Sequence, residues 1–345
     1  MTRTAVIVLA LAATMAAAER PWSDLQPELH DLLVAHLKFS PGEIADLERG
    51  KIVRHMLPPT SAGEMAVVGG VRIRANKEQL LVAYRDIVRF KRNASVLQIG
   101  RFSNPPDLSD LDALTITKDD FDLRDCRVGR CDIRLPAEGI HRFAAEVDWS
   151  RPDADARAAA MFKQMLLDNV RAYIAGGPGR ITEYDDEPEP VRPVEDFHAV
   201  LQSSPYVDAA APGLAAHLTH YHGDALAGAE DFLYWSKEKF VIAPFISVTH
   251  VTLVPQGPHQ YVAATRDVYS TRYFDASLSL AIASDSVHNP DTFYLFYVNR
   301  SRASALRGAF ARLRRTIVEH KAKGSIEDNL RDVRARLEET AEARP

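Results

Sequence analysis

Cysteine is almost missing from this chain: its 345 residues hold two, Cys126 and Cys131. A cysteine-rich metal module or a multiply bridged mini-domain is therefore excluded. Past the first residues no apolar run is long enough to cross a hydrocarbon core of ~30 Å, which takes about 20 residues. Net positive charge is lacking too, because 42 Lys and Arg stand against 47 Asp and Glu. A mildly acidic chain is a poor general partner for nucleic acid. Internal repeats are absent. The marks of disorder are also absent, since 46% of the residues are hydrophobic and 26% charged, a globular composition.

What is present begins with the first 18 residues. A positive start, Met1-Thr2-Arg3, leads into an apolar stretch from Ala5 to Met15 and then Ala16-Ala17-Ala18. This order of charge, short apolar run and small residues predicts a secretory signal peptide cleaved near Ala18, and so a periplasmic or secreted bacterial protein. In an oxidising compartment Cys126 and Cys131 are expected to be bonded, closing a small loop around Gly129 worth roughly 2 kcal/mol. Their spacing matches neither a redox-active pair nor a c-type haem site.

Periodicity predicts helices at 22–37 and, after the cap Ser40, from Pro41. Strands are predicted over Lys51–Leu57, Glu64–Arg74 and Val96–Phe102, with a helix starting at the cap Asn76 between the last two. Pro136 opens a helix to about Phe143, and residues 153–174 form another that ends at Gly176-Gly177-Pro178-Gly179. Short helices are expected near 194–202, 211–219 and 228–239. From Phe245 the pattern turns to strands: Phe245–Val254, Gln260–Thr265, Thr271–Ser284 and Thr292–Val298. A terminal helix over 301–320, capped by Ser301, should bury Leu306, Phe310, Leu313 and Ile317 against them. Gly324 should interrupt it, and Ser325 with Asp328 should restart it.

The segments Glu64–Phe90 and Tyr273–Ile317 place a strand before a helix and two strands before a last helix. This order resembles the helix-grip fold of START and polyketide-cyclase-like domains. The chain is also similar to an uncharacterised exported bacterial family with segments like Glu230–Phe240 and Tyr297–Arg302. The helix-grip resemblance implies an α+β fold, an antiparallel curved sheet closed by a long C-terminal helix over an apolar cavity. Residues 51–102 and 241–323 would form that domain, 19–50 N-terminal helices, 103–240 a disulfide hairpin with a largely helical insertion, and 324–345 a helical tail. Such cavities hold lipids or other hydrophobic ligands, and some act as active sites; the fold alone does not choose.

Among residues that carry chemistry, Tyr234 and Trp235 mix aromatic surface with nearby charge and are candidates for ligand contact. His250, Tyr273 and Phe310 are further candidates on the strands and the last helix. Arg300, Arg302 and Arg307 could grip an anionic head group, since guanidinium groups bind carboxylate or phosphate in two-point fashion. His217, His220 and His222 lie close to Asp224 and Glu230, but the zinc-helix spacing is missing, so they read as surface or capping residues and not a metal site. Gly176–Gly179 follows a helix and not a strand, which excludes a phosphate loop. Residues 300–336 carry 11 basic against 4 acidic side chains, a pattern that suits contact with an anionic membrane surface.

The leading expectation is an exported, non-catalytic protein that binds a hydrophobic or lipid-like molecule, with no cofactor and no nucleic-acid partner. A cavity-based hydrolase or cyclase using His250, Asp275 and Tyr273 is the alternative from another class. An envelope interaction protein without ligand is the third.

Overall fold

In the computed structural model, which describes residues 23–186, 189–221, 226–240, 243–308 and 310–342, the chain begins with two short helices, α1 (Pro27–Ala35) and α2 (Pro41–Glu48). Helix α2 opens with a capping box: the Ser40 hydroxyl accepts from the Glu43 N–H, and the Glu43 carboxylate accepts from the Ser40 N–H at 2.8 Å. Strands β1 (Val53–Leu57) and β2 (Glu64–Ile73) follow. Then come the helix pair α3 (Lys77–Arg85) and α4 (Ile87–Phe90) and strand β3 (Val96–Arg101). Asn76 caps α3 by accepting from the Glu78 N–H at 2.8 Å.

A long excursion carries α5 (Ala137–Glu146), α6 (Ala154–Gly176), α7 (Pro193–Gln202), α8 (Tyr206–Ala210) and α9 (Leu214–Thr219). The chain returns through β4 (Glu230–Phe240), β5 (Ala243–Gln256), β6 (Gln260–Ser270), β7 (Ala276–Asp285) and β8 (Phe293–Arg302), and ends in α10 (Ala311–Glu342).

The strands form one curved antiparallel sheet of eight in the order β1-β2-β8-β7-β6-β5-β4-β3. The last strand therefore returns to pair with β2 near the start of the chain, with Gly69 opposite Tyr297. The connection β2-α3-α4-β3 carries the chain to the far edge. The result is the expected α+β architecture, helix-grip-like with a largely helical insertion.

Alternation with period two gives the sheet two distinct faces. Phe293, Leu295 and Tyr297 of β8 pack with Leu80, Tyr84, Ile326 and Leu330 on what is here termed the grip face. Tyr294, Phe296 and Val298 point the other way, to α1, α2 and α7–α9. A third core packs α5 and α6 against Trp235, Val248 and Val268 on this back face. The Cys126–Cys131 disulfide is formed. It staples a tight turn in which Arg127 bridges Arg130 and Gly129 takes φ +80°, a conformation that glycine adopts freely.

Three expectations are corrected. Residues 228–239 are not a helix, since Glu230–Phe240 is β4. Phe232 and Tyr234 enter one core while Leu233 and Trp235 enter another, and burial on both faces requires strand geometry.

The terminal helix is displaced along the sequence. Strand β8 runs through Ser301, which is buried within it and caps nothing. Phe310 has φ +62° and is 77% exposed, and Leu313 and Ile317 are exposed as well. Of the proposed stripe only Leu306 is buried, in the short turn before the helix.

Helix α10 is continuous through Gly324 and Ser325 and buries Ile326, Leu330 and Leu337 instead. The reason lies in β2: a Cβ on Gly69 would sit 2.9 Å from the Leu330 Cδ1. The bare backbone there sets where the helix seats.

Candidate ligand site on the grip face

One half of the grip face is filled by large apolar side chains and the other is not. Across the middle strands Asn299 of β8 faces Ser279 of β7, and Ser279 faces Thr265 of β6. In the next row Asp267 of β6 faces Thr249 of β5, which faces Tyr234 of β4. Small residues continue the floor at Ser277, Ala281 and Ala263. The Asn299 amide donates to the Ser277 and Ser279 hydroxyls at 3.0 and 2.9 Å, and the Tyr297 hydroxyl donates to Ser279 at 2.8 Å.

These strands have neighbours on both sides, yet Thr265, Asp267, Ser277, Tyr297 and Asn299 keep part of their surface uncovered. These five side chains form a half-buried polar row of hydroxyls, an amide and a carboxyl around the buried Ser279 and Thr249, named the recess below.

Lys91, just past α4, closes one side of the recess. Its ammonium donates to the Glu238 carboxylate at 2.8 Å and to the Tyr234 hydroxyl at 3.2 Å. The Ser236 hydroxyl also donates to Glu238, at 2.6 Å. Beyond Glu238 the same end of the sheet carries a cluster of rings: Phe240 lies 5.1 Å from Tyr273 and 5.5 Å from Phe274, and Phe245 lies 5.8 Å from Tyr273. Polar floor and aromatic end are therefore contiguous.

The charges here are set by burial and by each other. Burial pushes the Asp267 carboxyl up to about 7; Glu238 adds to this, while Lys91 and the Thr249 hydroxyl, which donates at 3.3 Å, pull it down. Burial acts the same way on Glu238, but the Lys91 ammonium overrides it and holds that carboxyl below its usual range. Lys91 is raised in return, against the opposing pull of burial. Near neutral pH the recess holds a closed ion pair and one carboxyl that exchanges its proton, a group able to donate or accept a hydrogen bond or to act as acid or base.

Of the ligand contacts expected from sequence, Tyr234 lies on this face and Tyr273 lies in the ring cluster. The Tyr273 hydroxyl accepts from the Ala243 N–H at 2.9 Å, and its backbone has φ +70°. Trp235 is on the back face, where its indole donates to the Asp110 carbonyl at 2.8 Å.

His250 is also on the back face, fully buried. Its Nε2 is 2.9 Å from Asp231 and its Nδ1 is 2.8 Å from the Tyr173 hydroxyl. Burial opposes ionisation of Asp231, yet bonds from His250, Thr252 and His217 hold its pKa down to about 2. An ionised carboxylate only accepts, so His250 carries its proton on Nε2 and accepts from Tyr173. Burial lowers the His250 pKa, which keeps the ring neutral. Sealed from solvent at His250 and Tyr173, this network fastens α6 to the sheet.

The other candidates are dispersed. Arg300 is buried on the back face with Glu64, Arg302 meets Asp196 at 3.1 Å, and Arg307 meets Asp275 at 3.4 Å. Each guanidinium is already taken by a carboxylate of the chain, and the three do not converge on one head-group site. Asp275 is held by Arg134 and Arg307, and His250 by Asp231 and Tyr173, so the three residues His250, Asp275 and Tyr273 are not joined in one bonded set. Phe310 projects at the start of α10. Among the histidines, His217 meets Asp231 and His220 meets the Ala216 carbonyl, while Glu230 pairs with Arg85. His222 and Asp224 lie outside the described residues, as do residues 1–18.

Sequence reasoning missed Lys91, Asp267, Asn299 and the serines. A signal existed: Ser277, Ser279, Ala281 and Ala283 are small at every second position, and Ser279 and Ala281 stand opposite Thr265 and Ala263. A strand face of small and polar residues leaves space over it. No family model, no curated protein and no solved structure matches this chain, so its recess is interpreted from its own chemistry.

Proposed function

We propose that this is an exported, non-catalytic binding protein that holds a small amphipathic molecule in the grip-face recess, with the apolar part of the ligand against Phe240, Phe245, Tyr273 and Phe274 and its polar part over the Asp267–Asn299 floor. The observation that carries this reading is the uncovered polar band on interior strands, next to a ring cluster. Buried polar groups on a packed sheet are ordinarily covered, and a largely apolar hollow with a few placed polar groups is the usual form of a small-molecule site.

Export is supported by the signal-like first 18 residues and by the disulfide, which persists in oxidising compartments. Among the described residues no helix is long and apolar enough to cross a membrane. The exposed Phe310, Leu313 and Ile317 beside Arg312 and Arg314 support contact of α10 with an anionic membrane surface, which would supply such a ligand.

A second reading is catalysis in the same recess, favoured by the Asp267 carboxyl near neutrality beside the Lys91–Glu238 pair. The test is native mass spectrometry of the full chain purified from its own envelope, alongside Thr265→Trp, whose indole would fill the recess. Wild type should carry a co-purified molecule that Thr265→Trp lacks at unchanged secondary structure. Wild type that emerges empty, and takes nothing up from vesicles of the envelope lipids, would overturn the proposal. Asp267→Asn retaining the molecule unchanged supports binding, whereas accumulation of a chemically different molecule supports catalysis.

A further inference from the structure

We infer that the first turns of α10 are a docking face that lies in the plane of an anionic lipid bilayer, with Phe310, Leu313 and Ile317 inserted and a basic border on each side. Docking of this kind rests on the membrane contact proposed above and does not depend on what the recess holds.

Three large apolar side chains stand open to solvent together here: Phe310 is 77% exposed, Leu313 62% and Ile317 52%. Other exposed ones, such as Val82 of α3 and Leu97 of β3, sit singly on separate elements, as is ordinary for a protein surface. Steps of three and four residues put Phe310, Leu313 and Ile317 on one side of the helix start. The opposite side is occupied by the fold, because Val318 and Ala322 pack against Met65, Ala303 and Leu306. The outer stripe is thus apolar surface that the sheet does not use. Phe310 has φ +62°, a left-handed conformation that non-glycine residues seldom adopt. Its carbonyl accepts from the Arg314 N–H at 3.1 Å and so starts the helix. A bulky ring held on a strained backbone, with no burial in return, marks a residue kept for a contact outside the chain.

The charges around the stripe select the partner. At about 100° per residue, Arg312 and Lys323 fall along one border of the stripe and Arg314 and Lys321 along the other. Among the described residues no ion pair neutralises these four. Arg314 donates to the Ala305 and Arg307 carbonyls, which fixes it in place and leaves its charge intact. Glu319, the only acidic residue between 303 and 325, is turned to the inner side, where it pairs with Arg315 at 3.6 Å. A second copy of the chain meeting this stripe about a two-fold axis would set the positive borders against each other with no acid between them. A nucleic acid would take the charges and leave the apolar stripe in water. An anionic bilayer satisfies both: lipid phosphates meet the bordering cations, and the three apolar side chains reach the boundary of headgroups and acyl chains, ~5–10 Å deep.

The experiment floats the full chain with lipid vesicles. Wild type should float with vesicles of phosphatidylglycerol in phosphatidylcholine, stay behind with phosphatidylcholine alone, and be released as salt is raised. Arg312→Ser, Lys321→Ser and Lys323→Ser together should weaken partitioning by roughly a hundredfold, since each cation near an anionic surface contributes several-fold. Phe310→Ser, Leu313→Ser and Ile317→Ser together should weaken it by at least about tenfold at unchanged secondary structure, because none of the three is buried. Val82→Ser, an exposed apolar position elsewhere, should change nothing. Equal flotation with phosphatidylcholine alone, or flotation that survives either triple substitution, would overturn the inference. So would sedimentation showing a wild-type dimer that Leu313→Ser turns into a monomer, which would assign the stripe to a second copy. Should the apolar triple fail to fold, the charge triple decides alone. Thr265→Trp should float as wild type does, so loss of docking and an empty recess are read separately.

Discussion

At the residue scale the recess turns on Asp267, and its chemistry predicts a measurable pH dependence. Burial pushes its carboxyl up to about 7 in the folded chain, from the 3.8 usual for an aspartate. The folded state therefore binds more protons than the unfolded state between these values, so stability declines as pH rises through that window. Glu238 is shifted the other way and contributes stability above its unfolded pKa that is lost on acidification. Asp267→Asn removes a group that is costly only when ionised. The variant should gain in melting temperature over wild type, little near pH 4 and most above pH 7, with the gain levelling off beyond. A gain independent of pH would show that the carboxyl is not held back by burial. From sequence alone Asp267 is one acidic residue among 47. What singles it out is Thr249 on the neighbouring strand and Lys91 beyond a helix pair, and neither is local in the chain.

At the element scale, the alternation of β5–β8 was legible because adjacent antiparallel strands need only period two and turn residues to declare themselves. Caps were legible for the same local reason, as at Ser40 and Asn76. Strand β4 was not, because aromatic residues followed by Lys and Glu suit an amphipathic helix as well as a strand buried on both sides, and only Ile99 and Val248 across the sheet decide it. The terminal helix shows the same limit. Phe310, Leu313 and Ile317 and the stripe Ile326, Leu330 and Leu337 both have helical spacing, and Gly69, hundreds of residues away in sequence, selects the second. Leu330→Ala should therefore cost about 2–5 kcal/mol, while Phe310→Ala should stay within about 0.5 kcal/mol of wild type. Urea denaturation midpoints measure both, and a reversed order would return the earlier stripe to the core.

At the scale of the whole molecule, α6 and its neighbours are a large body joined to the back of a sheet, and what fixes them there is partly polar. Two buried tyrosines of that body make the point testable. Tyr173 donates to His250 at 2.8 Å, and His250 passes the connection to Asp231 on β4. Tyr184 is equally buried, and its hydroxyl bonds to nothing among the described residues. Removing the Tyr173 hydroxyl strands the His250 Nδ1 in a place that water does not reach, which should cost about 1–3 kcal/mol. Removing the Tyr184 hydroxyl strands no partner and relieves an unpaired group, so Tyr184→Phe should be neutral or stabilising in ligand-free protein. Hydrogen exchange separates local from global effects: Tyr173→Phe should speed exchange in α6 and in the middle of β5 while β1, β2 and α10 keep their protection. Equal destabilisation by the two substitutions would mean that ring packing, common to both, dominates. In that case the Asp231–His250–Tyr173 network would not be what holds the insertion to the sheet.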